Sequence, residues 1–225
     1  MSNSKKLIII GDSAFAEIAY EYFTNDSIYE VVGFAVERSY HKETTKNNLP
    51  IVPFEEIERF FKPDKHSFFV AITYTNLNRL RSRLFFAAKA KGFTPASYIS
   101  SNAFVWKNSY IGEHCFIFEN NVVQPFVKIY SNTILWSGNH IGHHSVINSN
   151  CFVSSHVVIS GYCEIGENSF LGVNSTISNN TKLGKNNWLS ANVTIQKNTN
   201  DNCLFKIDSQ LPSKISSLNF FKIKD

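Results

Sequence analysis

From Ile99 to Ile195 an aliphatic residue recurs at every sixth position without a miss: Ile99, Val105, Ile111, Ile117, Val123, Ile129, Leu135, Ile141, Ile147, Val153, Ile159, Ile165, Leu171, Ile177, Leu183, Leu189 and Ile195. A period of six fits neither an amphipathic helix nor an alternating strand, whereas short hexapeptide repeats are a β-helix signature. Three hexapeptides close one triangular coil of about 18 residues, with the aliphatic side chain inside and a turn at each corner. The pattern predicts a left-handed parallel β-helix. It stops after Ile195, because Asp201 stands at the next position.

Residues 1–97 have another texture, with short apolar runs alternating with helical spacing. Strands are predicted at Lys6–Ile10, Tyr29–Val36, Leu49–Val52 and Ser67–Thr73. Helices are predicted after Gly11 as far as Phe23, from Pro53 to about Phe61, and over Asn76–Lys91. Strands alternating with helices predict a small parallel sheet of Rossmann type, whose ligands bind outside the carboxyl ends of the strands. The chain therefore divides into an α/β domain (1–97), an all-β left-handed β-helix (98–200) and a C-terminal tail (201–225). The tail is expected to pack over the last coil or a neighbouring subunit.

Composition narrows the picture. The chain has 225 residues, 43% of them hydrophobic, enough for a substantial core. Leu7–Ile10 is too short for a signal peptide or a membrane span, and no longer apolar run follows, so the expected location is the cytoplasm, with no membrane partner. The net charge of +4 comes from scattered Lys and Arg, which argues against nucleic acid as a partner. Cys115, Cys151 and Cys163 each lie four residues after a repeat aliphatic, where other repeats carry small residues. They read as buried packing groups, ahead of disulfides or metal ligands.

The repeat phase sorts the histidines. Three residues after each aliphatic the chain carries mostly Asn, with Gly138 once, and these residues tolerate a left-handed backbone. That turn phase accounts for His114, His144 and His156. His143 lies two residues after Ile141, a phase with no other histidine. His140 precedes the aliphatic and points outward in the phase of Phe116, Val122, Ile134, Val146, Phe152, Val158, Phe170 and Trp188. Such apolar outer faces call for burial, and a homotrimer packing them together is expected, with His140 in an intersubunit groove. Residues 18 apart stack, so His143 shares its corner with Gly161, Asn179 and Lys197. Gly161 leaves room and exposes backbone N–H groups, while Lys197 could meet a phosphate. A long ligand along this edge, with the dimensions of acetyl-CoA, fits.

In the N-terminal part, Gly11, Asp12 and Ser13 form a small-residue turn at a helix start that could hold a phosphate, although only Gly11 survives from a GxGxxG pattern. Thr73 and Tyr74 form a second lip, with Tyr74 placed to stack on a base and Thr75 to cap the helix.

Taken together, Ile8-Ile-Ile-Gly-Asp-Ser-Ala14, the hexad array, Gly138-Asn-His-Ile-Gly-His-His-Ser145, Ile159-Ser-Gly161 and Phe170-Leu-Gly-Val-Asn174 resemble the hexapeptide-repeat sugar acetyltransferases of the sialic-acid O-acetyltransferase-like, bacillosamine and perosamine N-acetyltransferase type. The resemblance implies homotrimers with acetyl-CoA along the solenoid edge and a nucleotide-linked sugar held by the N-terminal domain. The family's catalytic histidine falls on His143. The acidic residue that often follows it is here His144, so Glu119, Glu164 or Glu167 is expected to orient the base.

Acyl transfer to an amine needs a base near neutrality, a polarised carbonyl and a held leaving group. His143 is expected to be the base, and the Gly161 N–H to polarise the thioester. His140, His144 and His156 are expected to line the sugar site, with Ser160, Gly161, Asn179 and Lys197 along acetyl-CoA. The expected substrate is a dTDP-4-amino-4,6-dideoxyhexose for surface polysaccharide or glycan. O-acetylation of a sugar hydroxyl is the alternative enzyme reading. A non-catalytic assembly module would leave the off-phase His143 unexplained. A zinc site at His140, His143, His144 and His156 matches no common ligand spacing, and no metal is expected.

Overall fold

The computed structural model describes residues 5–207 and 212–223. Its N-terminal part runs β1 (Lys5–Ile10), α1 (Ala14–Asn25), β2 (Tyr29–Val36), β3 (Thr45–Lys46), β4 (Leu49–Pro53), α2 (Ile57–Phe60), β5 (His66–Val70), α3 (Arg79–Ala90) and β6 (Thr94–Pro95). The sheet order is β3-β4-β2-β1-β5-β6, parallel except for the β3–β4 pair. Leu7 to Ile10 are buried because both sheet faces are covered, and that is why β1 reads as a continuous apolar run.

Two helices are shorter than their sequence pattern suggests. Asn76, Leu77 and Asn78 all have positive φ, so α3 starts only at Arg79, and Asn78 rather than Thr75 occupies its N-cap. Pro53 closes β4, and Phe54–Glu56 form a single 3₁₀ turn before α2.

From Tyr98 onward the chain winds as a parallel β-helix with three faces. The first face stacks the strands Tyr98–Ile99, Phe116–Ile117, Ile134–Leu135, Phe152–Val153, Phe170–Leu171, Trp188–Leu189 and Leu204–Phe205. The second face runs from Phe104–Val105 to Thr194–Ile195 and includes His140–Ile141, and the third runs from Tyr110–Ile111 to Lys182–Leu183. From Ile117 to Leu189 every repeat aliphatic is fully buried in one column. From His114 to Asn192 the turn phase has positive φ as expected, at His114, His144 and His156 as well as at the asparagines. Cys115, Cys151 and Cys163 are buried free thiols, and burial pushes those of Cys115 and Cys151 up to about 12.

The six-residue clock stops where expected, yet the first face continues. Leu204–Phe205 pairs with Trp188–Leu189 through a coil two residues short of the usual length. Asp201 Oδ1 accepts the Lys185 N–H at 2.8 Å in that tight coil, so the residue that breaks the pattern also shapes the turn.

The outward apolar residues do not share one fate. Phe116, Ile134, Phe152, Phe170 and Trp188 all lie on the first face, and the chain's own N-terminal part covers them. Phe15 of α1 packs edge-on to Phe116 (5.7 Å) and against Trp136 (5.4 Å), while Phe23 meets Phe116 and Tyr98. This corrects the expectation that all such residues await a second copy. Phe104, Val122 and Val158 on the second face and Tyr110 and Val146 on the third are left outside that cover, and the sequence pattern could not distinguish them because outward phase is the same on every face.

A polar lock holds the two parts together where the third face turns into the first. Arg81 of α3 is fully buried and donates to the carbonyl oxygens of Thr73, Asn132, Asn150 and Cys151 and to the side-chain oxygens of Asn78 and Asn132. No carboxylate is among these partners, and burial lowers its guanidinium to about 9. His114 lies beside it, accepting the Val70 N–H on Nε2 (2.8 Å) and donating from Nδ1 to Asn132 Oδ1 (2.9 Å). Burial holds this imidazole neutral, with its pKa down at about 3.

Candidate active site

The corner between the second and third faces carries His143. The left-handed turn residues of successive coils stack there. The His144 ring lies between Phe126 (4.5 Å, stacked) and Tyr162 (4.7 Å, stacked), and all three have positive φ. Phe126 and Tyr162 remain more than half exposed, as expected of a corner. His143 is also exposed, and its ring meets the edge of Tyr162 at 5.1 Å. Its backbone is pinned on both sides: its N–H donates to Gln124 Oε1 (2.9 Å) and its carbonyl accepts the Tyr162 N–H (2.9 Å).

Gly161 sits against this ring. A Cβ there would lie 2.8 Å from His143 Cε1 and 2.9 Å from Nε2, so any larger residue would shift the exposed imidazole from this place. The expected second service of Gly161, a free N–H for an oxyanion, is not offered, because that N–H donates to Asn179 Oδ1 at 3.0 Å. The reason is general to the solenoid: side-chain amides one coil away accept backbone N–H groups near the corners, Asn198 from Lys182 in the same direction and Asn139 from Val157 and Asn187 from Cys203 in the other. Asn179 therefore has its carbonyl engaged by the protein rather than free for a ligand. Ser160 is half-buried beside Gly161, and its own carbonyl accepts from Ser145 Oγ (2.8 Å).

None of the three carboxylates expected to orient His143 touches it. Glu119 accepts from Tyr22 Oη (2.6 Å), Glu164 pairs with Lys182 (3.0 Å) and Glu167 with Lys185 (3.5 Å). The hydrogen-bond partner of the His143 ring is His144, with the two Nδ1 atoms 3.2 Å apart.

The other histidines spread out. His140 lies on the second face between Val122 and Val158, one strand from His143. His156 belongs to the corner between the first and second faces, where its ring packs over Gly138, so one chain does not bring it to His143. Among the described residues no group of His, Cys, Asp or Glu side chains is arranged to hold a metal ion. Lys197 lies exposed three coils from His143, about 14 Å along the axis at ordinary strand spacing. It lines a depression of about 660 Å³ at the end of the solenoid, together with Lys206, Ile195 and Phe205.

In the N-terminal part Gly11 and Asp12 line a cavity of about 270 Å³ at the carboxyl ends of β1 and β2, with Glu37, Tyr40 and Thr75. Gly11 has φ +124° and a Cβ there would meet Ala71 O at 2.9 Å, which explains the single glycine kept from the longer motif. Ser13 is exposed at the start of α1 and does not line this cavity. Glu37 is held ionised by a two-pronged bond from Arg83 (2.8 Å each). Sequence reasoning missed Glu37 and Tyr40; the signal available was their place just after the second predicted strand. Thr73 and Tyr74 turn elsewhere. The Tyr74 ring packs on Phe170 (4.6 Å) and edge-on to Phe152 (5.3 Å), and with Thr73 it lines a depression of about 310 Å³ over the first face.

No family model and no curated protein sequence matches the chain. Solved structures do. The acetyltransferase domain of PglB from Neisseria gonorrhoeae FA1090 superposes with a TM-score of 0.80 at 23% identity, covering 89% of this chain and 95% of that one. The same domain in complex with acetyl coenzyme A gives 0.80 at 22% identity, covering 90% and 96%. PerB from Caulobacter crescentus, in complex with CoA and GDP-perosamine, gives 0.78 at 21% identity, covering 88% and 92%. Among the described residues no helix is long and apolar enough to cross a membrane. At these identities the likeness is one of fold: an α/β part followed by a left-handed β-helix, the architecture of these sugar acetyltransferases.

Proposed function

We propose that the chain is an acetyl-CoA-dependent N-acetyltransferase acting on a nucleotide-linked amino sugar in the cytoplasm, with a dTDP-4-amino-4,6-dideoxyhexose as first candidate and surface polysaccharide or glycan as the destination. The observation that carries this reading is His143, an exposed imidazole whose ring lies directly against Gly161. The fold-level likeness to structures holding acetyl coenzyme A, or CoA with GDP-perosamine, supports both ligands.

The strand order β4-β2-β1-β5 supports a Rossmann-like reading of residues 1–97, with Gly11, Asp12 and the cavity beside them at the ligand-binding ends of the strands. The second corner, from His143 past Ser160 and Gly161 to Lys197, gives an extended cosubstrate a ledge with a cation at its far end. Bound there, acetyl-CoA supplies the activated acyl group. His143 Nε2 takes a proton from the attacking amine, whose lone pair is useful only when neutral. Phe104, Val122, His140 and Val158 leave the second face partly apolar, with Phe104 51% and Val158 40% exposed, and a homotrimer covering it is part of the proposal. Such packing would bring His140, and His156 at the neighbouring corner, into an intersubunit groove.

The test is thiol release from acetyl-CoA with a nucleotide-linked amino sugar and with its hydroxyl counterpart. Release with the amine alone is expected. Release with the hydroxyl alone would favour O-acetylation, and release with neither would remove the enzyme reading.

A further inference from the structure

We infer that His144 is a positioning residue: its ring Nδ1 accepts the Nδ1–H of His143 and so leaves the His143 Nε2 lone pair free to act as base. The inference rests on the acetyltransferase reading for its kinetic consequences, but its structural content stands alone.

Two imidazole nitrogens 3.2 Å apart can hydrogen-bond only if one carries a proton and the other a lone pair. A neutral imidazole has one of each. If His143 donates from Nδ1, its Nε2 is unprotonated and basic, and His144 carries its proton on Nε2. If His144 donates instead, His143 Nε2–H faces the ligand edge and cannot accept a proton. The first arrangement is the one that leaves a base on the ligand edge, and His144 is held where its Nδ1 can serve as the acceptor: its ring is clamped between Phe126 and Tyr162, and its backbone N–H donates to Pro125 O at 3.1 Å. Among the described residues no charged group forms a hydrogen bond or ion pair with either ring. The titratable groups around the pair are the Tyr162 phenol in ring contact, His140 on the second face, and Lys128 and Glu164 on the third, Glu164 being paired with Lys182.

A histidine does this differently from a carboxylate. Neutral His144 selects the tautomer without adding negative charge. When His143 takes up a proton on Nε2 during the reaction, its Nδ1–H stays where it is, and no proton passes to His144.

His144→Phe is the informative substitution, because Phe126 already adopts the same left-handed backbone in the adjacent coil and the ring can keep its stack. In ¹⁵N-histidine-labelled protein at pH 8, long-range nitrogen–proton correlations should show His143 protonated on Nδ1 in the wild type and shifted toward Nε2 in His144→Phe. In the same variant kcat should fall at least about tenfold while KM for acetyl-CoA stays within about twofold and Tm is unchanged. His144→Glu should restore the Nδ1–H form and most of kcat. Wild-type His143 protonated on Nε2, or identical tautomers in wild type and His144→Phe, would overturn the inference. Absence of acetyl transfer in the wild type would retire the functional reading while leaving the tautomer measurement to decide this one.

Discussion

His114 and His144 occupy the same phase of the same repeat, three residues after an aliphatic, with φ of 57° and 60°. Their chemistry is opposite. His114 lies where the third face turns into the first, beneath α3, fully buried and locked neutral between Val70 and Asn132. His144 lies at the next exposed corner, open to solvent and touching the ring of His143. The repeat decides the backbone conformation, and the domain folded over the solenoid decides what the side chain does. One corner holds the molecule together. The other is left open to solvent.

Four changes would break or sharpen that contrast. The largest effect is expected at the open corner: His143→Asn should lower kcat about 10²–10⁴-fold with Tm nearly unchanged, as removal of a general base does, measured by thiol release and thermal melting side by side. At the covered corner, Arg81→Met should leave activity per folded molecule intact but destabilise the chain by about 3–5 kcal/mol in urea unfolding, because several buried carbonyls lose their donor.

The covered histidine predicts a pH effect of definite sign. His114 titrates at about 3 when folded and near 6.5 when unfolded, so between those values the unfolded chain binds a proton the folded chain does not. Stability therefore falls as pH drops below about 6.5, by about 2 kcal/mol on reaching pH 5. His114→Asn, with a residue the turn phase already uses widely, should flatten that dependence in urea titrations at the two pH values. The smallest effect is expected for Gly161→Ala, whose new Cβ would press on the His143 ring and lower kcat about tenfold, again with little change in Tm.

The solenoid was legible because a buried column needs an aliphatic residue at every coil and a corner needs a residue that accepts positive φ, and both leave periodic marks. The off-phase position of His143 was legible for the same reason. What the sequence hid depends on docking. Phe116 and Val122 look alike as outward apolar residues, yet one lies under α1 and the other on the uncovered face. Arg81 reads as an ordinary helix cation until the carbonyls of Asn132, Asn150 and Cys151 converge on it. The packing of Tyr74 on Phe170 joins residues nearly a hundred positions apart and shows only once the two parts are docked. The engagement of the Gly161 N–H by Asn179 joins residues one coil apart, which shows only once the coils are stacked.

The most direct test of the account is a structure of the protein soaked with CoA. The account predicts the thiol beside His143 Nε2, the chain of the cofactor along the corner past Ser160 and Gly161, and its phosphates toward Lys197. CoA bound away from this corner, with His143 untouched, would contradict it.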